Sequence, residues 1–350
     1  MNLMNKLAIV LTGALALGGA SIAKVATDKE PAATAEQAPD YVPKILTEPT
    51  GVDRATEQRV FLDAARSAWA FIDAGYVPAT GLTVAQSTWA YPTVWDIASS
   101  MAAYYSARGL GFISDQEYQR RTLRALQTLQ HARLYNGVAF GRNYDAHTGE
   151  LVGNDQKPSA NGTGYSAIDL GRLLIWLKIV AQDSPELAKA AAAVARRIDA
   201  SHVVRQGYMY GETVTKEGRL EKFQEGRIGY EQYSATGFQA WGMKADRAVR
   251  ASSNARKTTV QGLPMTADRR KLDRITSEPF ILYGMEVGLN GEMEEIAWQT
   301  LSLQAQRYVK TGEMTIASED ALNVKPHYFF YYCVYCSGKE FVINVHRPGT

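Results

Sequence analysis

Cysteine is nearly absent: 350 residues hold two, Cys333 and Cys336, too few for a disulfide framework. Both lie in the aromatic run from His327 to Cys336, which reads as a strand, and strand positions three apart face opposite sides. That disfavours a bridge between them, and the redox spacing is not at a helix start, where a reactive pair belongs. Histidine is scarce too, at 131, 147, 202, 327 and 346, and this scatter excludes a His-rich metal site. No His-Glu-x-x-His, Gly-x-Ser-x-Gly or phosphate-cradling Gly-Lys-Ser/Thr pattern occurs, so the chemistries that depend on them are not expected. Neither sign of charge prevails, with 38 Lys and Arg against 36 Asp and Glu, net +2. Without a strong field, nucleic acid and anionic membranes are poor partners and a neutral ligand is the easier fit.

Long apolar runs are missing as well, except at the start. Met1 to Lys6, the greasy stretch Leu7 to Leu17 and the small residues Gly18 to Ala23 have the order of a secretory leader cut after Ala23. No transmembrane helix is expected in the mature chain, and export implies a periplasmic or secreted protein. Residues 24–51 are rich in Ala, Pro, Glu, Asp and Thr without apolar period, and read as a flexible tether. Residues 52–350 form one expected domain.

What is abundant is helical period and aromatic side chains. Apolar residues recur at helical spacing from Asp53 to Ala74, Val94 to Arg108, a third helix opening at Ser114 with a capping box to Glu117, Ser166 to Ala181, Glu186 to Ala200, Tyr230 to Trp241, Pro279 to Val287 and Glu292 to Lys310. Turn chemistry at Asp145-Ala-His-Thr-Gly149 marks a hairpin. The Arg-rich stretch 247–274 reads as a solvated excursion in which Val260 to Met265 could supply a strand, and 327–345 as strand, turn, strand. The expected class is mainly all-α, helices wound as paired hairpins with small β-hairpin additions.

The 19 Tyr and 6 Trp suit stacking on sugar faces, and several stand beside an acid where a helix opens. Four such openings are Trp89-Ala-Tyr91-Pro-Thr-Val-Trp95-Asp96, Tyr165-Ser-Ala-Ile-Asp169, Tyr230-Glu231-Gln-Tyr233 and Ser277-Glu278-Pro279-Phe280. If alternate helices form an inner ring, these openings converge on one cleft. The candidate catalytic acids are therefore Glu231, Asp96, Glu278 and Asp169, and the candidate substrate-binding rings Trp89, Tyr91, Trp95, Tyr165, Tyr230 and Tyr233. Two carboxylates hydrolyse a glycosidic bond without metal or cofactor, one protonating the leaving oxygen and one activating water or attacking carbon. Neither metal nor cofactor is expected here. Thr93-x-x-Asp96 and Ser166-x-x-Asp169 also match helix caps, a purely structural role, whereas Glu231 has no evident cap partner.

Pro92 to Ser99, Tyr165 to Trp176, Gly229 to Tyr233, Thr276 to Phe280 with Glu286, and Val334 to Lys339 together resemble the domain-of-unknown-function family 3131 (DUF3131) over about residues 55–345. The cysteines at 333 and 336 depart from that pattern. The resemblance implies an (α/α)6-toroid-like helical barrel related to glucoamylase-like and β-1,2-glucanase domains, with a glycan-facing funnel. The expected function is a glycoside hydrolase-like protein of the cell envelope acting on a polysaccharide or oligosaccharide, with Glu231 and Asp96 as the working pair. A non-catalytic glycan-binding or polysaccharide-assembly protein is the alternative, and a structural envelope protein with its aromatics in the core the third.

Overall fold

The structure is a computed structural model that describes residues 54–346 except 216, 271–273, 314, 316, 322–328 and 337. The expected leader and tether lie outside the described residues. Helices fall where the period puts them, except that the one expected to run to Ala200 stops at Ala195 and a separate short helix follows: α1 (Arg54–Gly75), α2 (Val94–Gly109), α3 (Asp115–His131), α4 (Ala167–Val180), α5 (Pro185–Ala195), α6 (Ala200–Val203), α7 (Tyr230–Ala240), α8 (Glu278–Glu286) and α9 (Gly291–Thr311). Thr93, Ser114, Ser166 and Ser184 each cap a helix by accepting the backbone N–H three residues on. The reciprocal half of the box expected at Glu117 is not made, because Arg120 and Arg121 hold that carboxylate at 2.7 and 2.6 Å.

Helix α4 is interior, with Leu170, Leu173, Leu174, Ile175, Leu177 and Val180 buried around its circumference, so no polar stripe interrupts its sequence. It packs against α2 on one side and α7 on the other, and α7 meets α8. An added methyl group at Gly171 of α4 would collide with Ser234, and one at Gly237 of α7 with the Gly171 carbonyl. Glycine thus lets the two backbones touch. Helices α1 and α3 lie against α2, α5 against α4, and α9 against α8.

Strand is more extensive than the small hairpins expected. β1 (Leu134–Tyr135) and β2 (Ala139–Phe140) make one hairpin, and the expected turn follows, Gly149 N–H donating to the Asp145 carbonyl at 2.8 Å. β5 (Tyr208–Val214) gathers β3 (Gly164–Tyr165), β4 (Val204–Arg205) and β6 (Leu220–Gln224) into an antiparallel sheet, Tyr165 and Lys222 both opposite Glu212. β7 (Ala255–Val260) and β8 (Leu263–Asp268) pair within the polar excursion. β11 (Phe329–Cys336) pairs with β9 (Arg274–Ile275), β10 (Glu319–Ala321) and β12 (Lys339–His346). The mainly all-α expectation therefore describes the helical framework and understates the sheets. Strand β6 escapes a reading by period because its large apolar residues, Leu220 and Phe223, stand three apart, on opposite faces, and both are exposed.

Cys333 is buried and Cys336 half-buried, and no disulfide joins them. Burial, with Cys336 beside it, pushes the Cys333 thiol up to about 11, so it stays protonated and unreactive near neutral pH. Among the described residues no helix is long and apolar enough to cross a membrane.

Candidate active site

A cleft of about 690 Å³ opens where α2, α4, α7 and α8 begin. Its walls include Trp95 and Asp96, Ser166 and Asp169, Tyr230, and Glu278, so the four helix openings converge as their shared pattern predicts. The β6 end adds Glu225, the segment after β2 adds Arg142, and the carboxy-terminal sheet adds Glu319 and Tyr331. Another hollow of about 800 Å³ lies between α3 and the turns around residues 148–160, but Arg124, His131, Arg133 and Glu150 line it without any Trp, Tyr or Phe. It has neither paired acids nor rings to stack on a sugar. Among the described residues no group of three or more His, Cys, Asp or Glu side chains could hold a metal ion.

Asp96 and Asp169 are both the third residue of their helices and line the cleft; Asp96 also completes the Thr93 capping box, whereas Asp169 gives its backbone N–H to the Ser166 cap. Asp96 accepts from the Thr93 backbone N–H and hydroxyl, each at 2.8 Å, on the same oxygen, Oδ2. Burial raises its affinity for a proton, while the Thr93 hydrogen bonds and the Arg172 charge oppose that. Asp169 is pushed up to about 7, first by burial and then by the charge of Glu225, with Asp96 adding to the repulsion and Arg142 and Ser166 opposing it. A helix-capping residue can thus also present a carboxyl to the cleft.

Glu225, which the helix-opening pattern misses, is the neighbour that matters to Asp169. Ser166 Oγ lies 3.0 Å from Asp169 Oδ1 and 2.9 Å from Glu225 Oε1. The Ala167 backbone N–H donates to Glu225 Oε2 at 2.5 Å. The only sequence signal is an acid placed between the end of β6 and Gly226, just before the α7 opening. Glu278 accepts from the Tyr230 hydroxyl at 2.6 Å. Glu319 forms an ion pair with Arg227, whose guanidinium stacks on the Tyr230 ring at 4.6 Å and the Tyr331 ring at 5.2 Å.

Glu231 is not in the cleft. Successive helical residues turn by about 100°, so when Tyr230 faces the cleft Glu231 faces away. It is fully buried against the β7–β8 hairpin, paired with Arg270 at 2.7 Å, beside buried Asp268 that the same guanidinium holds at 2.5 Å. Gln224 Nε2 donates to its Oε1 at 3.1 Å. The acid without a cap partner in the sequence has found a tertiary one.

The rings divide likewise. Trp89, Tyr91, Trp95 and Tyr230 line the cleft, Trp89 and Tyr91 packed edge to face with centroids 5.4 Å apart. Tyr165 and Tyr233, expected among the stacking rings, are wholly buried. Tyr165 packs on Tyr135 at 5.7 Å, because β3 turns it inward beneath the sheet. Tyr233 lies below the floor, where its hydroxyl donates to Glu286 and accepts from Arg172 at 2.7 Å. That arginine sits 4.5 Å from the Trp95 ring centroid and pairs with Glu286 at 3.2 Å, so a buried polar layer carries the floor of the cleft.

No curated protein matches the chain. Three solved structures share its fold. A candidate glucoamylase from Bacteroides caccae has a TM-score of 0.57 at 13% identity, covering 81% of this chain and 76% of that one. A second, from Bacteroides fragilis, has a TM-score of 0.54 at 14% identity, covering 76% and 70%. The endo-β-1,2-glucanase from Chitinophaga pinensis, solved with sophorotriose and glucose, has a TM-score of 0.54 at 12% identity, covering 78% and 74%. At such identities the likeness is one of fold. The family described as protein of unknown function DUF3131 matches residues 63–346, most of the chain, and the chain belongs to that family.

Proposed function

We propose that the protein is an exported glycoside hydrolase-like enzyme of the cell envelope that cleaves a neutral glucan, with Asp169 as proton donor and Asp96 as the facing carboxylate. The observation that carries this reading is the unequal pair of acids in an aromatic-walled cleft. Burial raises the proton affinity of both acids, and the charge of Glu225 helps to carry Asp169 to about 7, while two Thr93 donors and the Arg172 charge work against a proton on Asp96. Two carboxyls in such different surroundings can divide the roles of proton donor and base between them. Trp89, Tyr91, Trp95 and Tyr230 supply faces for sugar rings. The (α/α)6 ring is the arrangement of the framework that fits this reading, and the shared fold of the glucanase supports trying β-1,2-linked glucan first.

The test is incubation of the protein with a panel of bacterial glucans, read as new reducing ends. Fragments from one linkage, lost about 10²- to 10⁴-fold in Asp169→Asn and in Asp96→Asn, are expected. Because the donor must be protonated, kcat/KM should fall as pH rises through about 7. Glycan retained on the protein without fragments would instead assign the cleft to binding. Full activity in Asp169→Asn would remove Asp169 from the mechanism.

A further inference from the structure

Ser166 has one hydroxyl proton and two carboxyl neighbours. Its Oγ contacts Asp169 Oδ1 at 3.0 Å and Glu225 Oε1 at 2.9 Å, and also accepts the Asp169 backbone N–H at 3.1 Å. A single hydroxyl cannot donate to both acids, so the second contact is a hydrogen bond only when that acid brings its own proton. The two carboxyl oxygens are also no further apart than those two lengths combined, too close for both groups to ionise without repulsion. A proton on either acid relieves that repulsion and completes the second contact.

The donors around the pair decide which acid holds it. Burial raises the proton affinity of Glu225, but the Arg142 charge, the serine hydroxyl and the backbone N–H groups of Ala167, at 2.5 Å on Oε2, and of Ile168 oppose it, at the opening of α4 where the helix dipole favours an anion. Its place is shaped from the other side by β5: a methyl group at Gly211 would stand 2.5 Å from Glu225 Oε2. Asp169 has the serine alone among side chains, and faces Glu225 from β6 and Asp96 from α2, with Arg142 from the segment after β2 as the opposing charge. We propose that Glu225 is a positioning residue, an anion pinned at the start of α4 that, through Ser166, keeps the shared proton on Asp169 and aims it into the cleft. The inference rests on the assignment of Asp169 as proton donor. It adds a third carboxylate that touches the reaction only through the second.

The experiment is a pH titration, followed by NMR, of the intact protein labelled with carbon-13 at its aspartate and glutamate carboxyls, with the Asp169 signal identified by its loss in Asp169→Asn. In the parent, the Asp169 signal is expected to titrate near pH 7, and the Glu225 signal to show, besides its own titration, a second shift at the Asp169 midpoint, as coupled groups do. In Glu225→Gln the proton affinity of Asp169 should fall about tenfold or more, and Glu225→Asp, which keeps the charge, should restore most of it. An Asp169 midpoint unmoved in Glu225→Gln would overturn the proposal. So would a parent Glu225 signal with no second shift, a reading that holds even if the glutamine variant does not fold. The titration needs no substrate, so its failure is distinct from failure of the hydrolase reading: a glycan cleaved with an unmoved midpoint sinks only the role of Glu225, and the reverse result sinks only the hydrolysis.

Discussion

Asp169 is held in the folded state with a proton affinity raised from 3.8 to about 7, which links the site to stability. The folded protein binds that proton more tightly than the unfolded chain, so its contribution is full below about pH 4 and lost as pH rises through about 7. Asp169→Asn has no proton to lose, and its advantage in melting temperature over the parent should grow between those limits and level off above them. The gain should be on the order of 1–4 kcal/mol, toward the lower figure because the carboxyl keeps some access to solvent; an advantage equal at pH 4 and pH 8 would refute the linkage. Glu231 predicts the opposite pattern. Glu231→Ala leaves Arg270 with Asp268 alone in a buried site and should cost about 3 kcal/mol in denaturant unfolding. Hydrolysis by the folded fraction should be unchanged, and a loss of turnover without loss of stability would return Glu231 to the site.

At the scale of elements, the helices and their caps were legible in the sequence because a cap and an apolar period are local signals. Asp96 and Asp169 could be picked out since each sits at a fixed offset from Thr93 or Ser166. Rotational phase was not legible: nothing local says whether Tyr230 or Glu231 faces the neighbouring helix, because that depends on how α7 seats on α4. Glu225 was hidden for a related reason, since it reaches the α4 opening only through the pairing of β6 with β5 and of β5 with β3. The seating of α7 is set by glycine, which gives a prediction of its own. Gly237→Ala drives a methyl group into the Gly171 carbonyl and should separate α4 from α7. A stability loss of about 1–3 kcal/mol is expected in denaturant titration, with a larger proportional loss of hydrolysis, since the two helices carry Asp169 and Tyr230. An unchanged unfolding midpoint would show that the contact relaxes without cost.

For the molecule as a whole, the cleft draws on the chain from Ala85 to Tyr331, and its last contributors come from the far end. Arg227, at the approach to α7, is clasped between the Tyr230 and Tyr331 rings and tied to Glu319, while β11 pairs back to β9 just before α8. Contacts so distant in sequence close late, because a long loop must be ordered before they return any stabilisation. The helical layers of a partly made chain can pack from their own local signals, but a wall of the cleft is missing until the final strands pair. Helix content should then recover before the cleft is complete during refolding, and any ligand that needs the whole cleft should bind only after the carboxy-terminal sheet has formed.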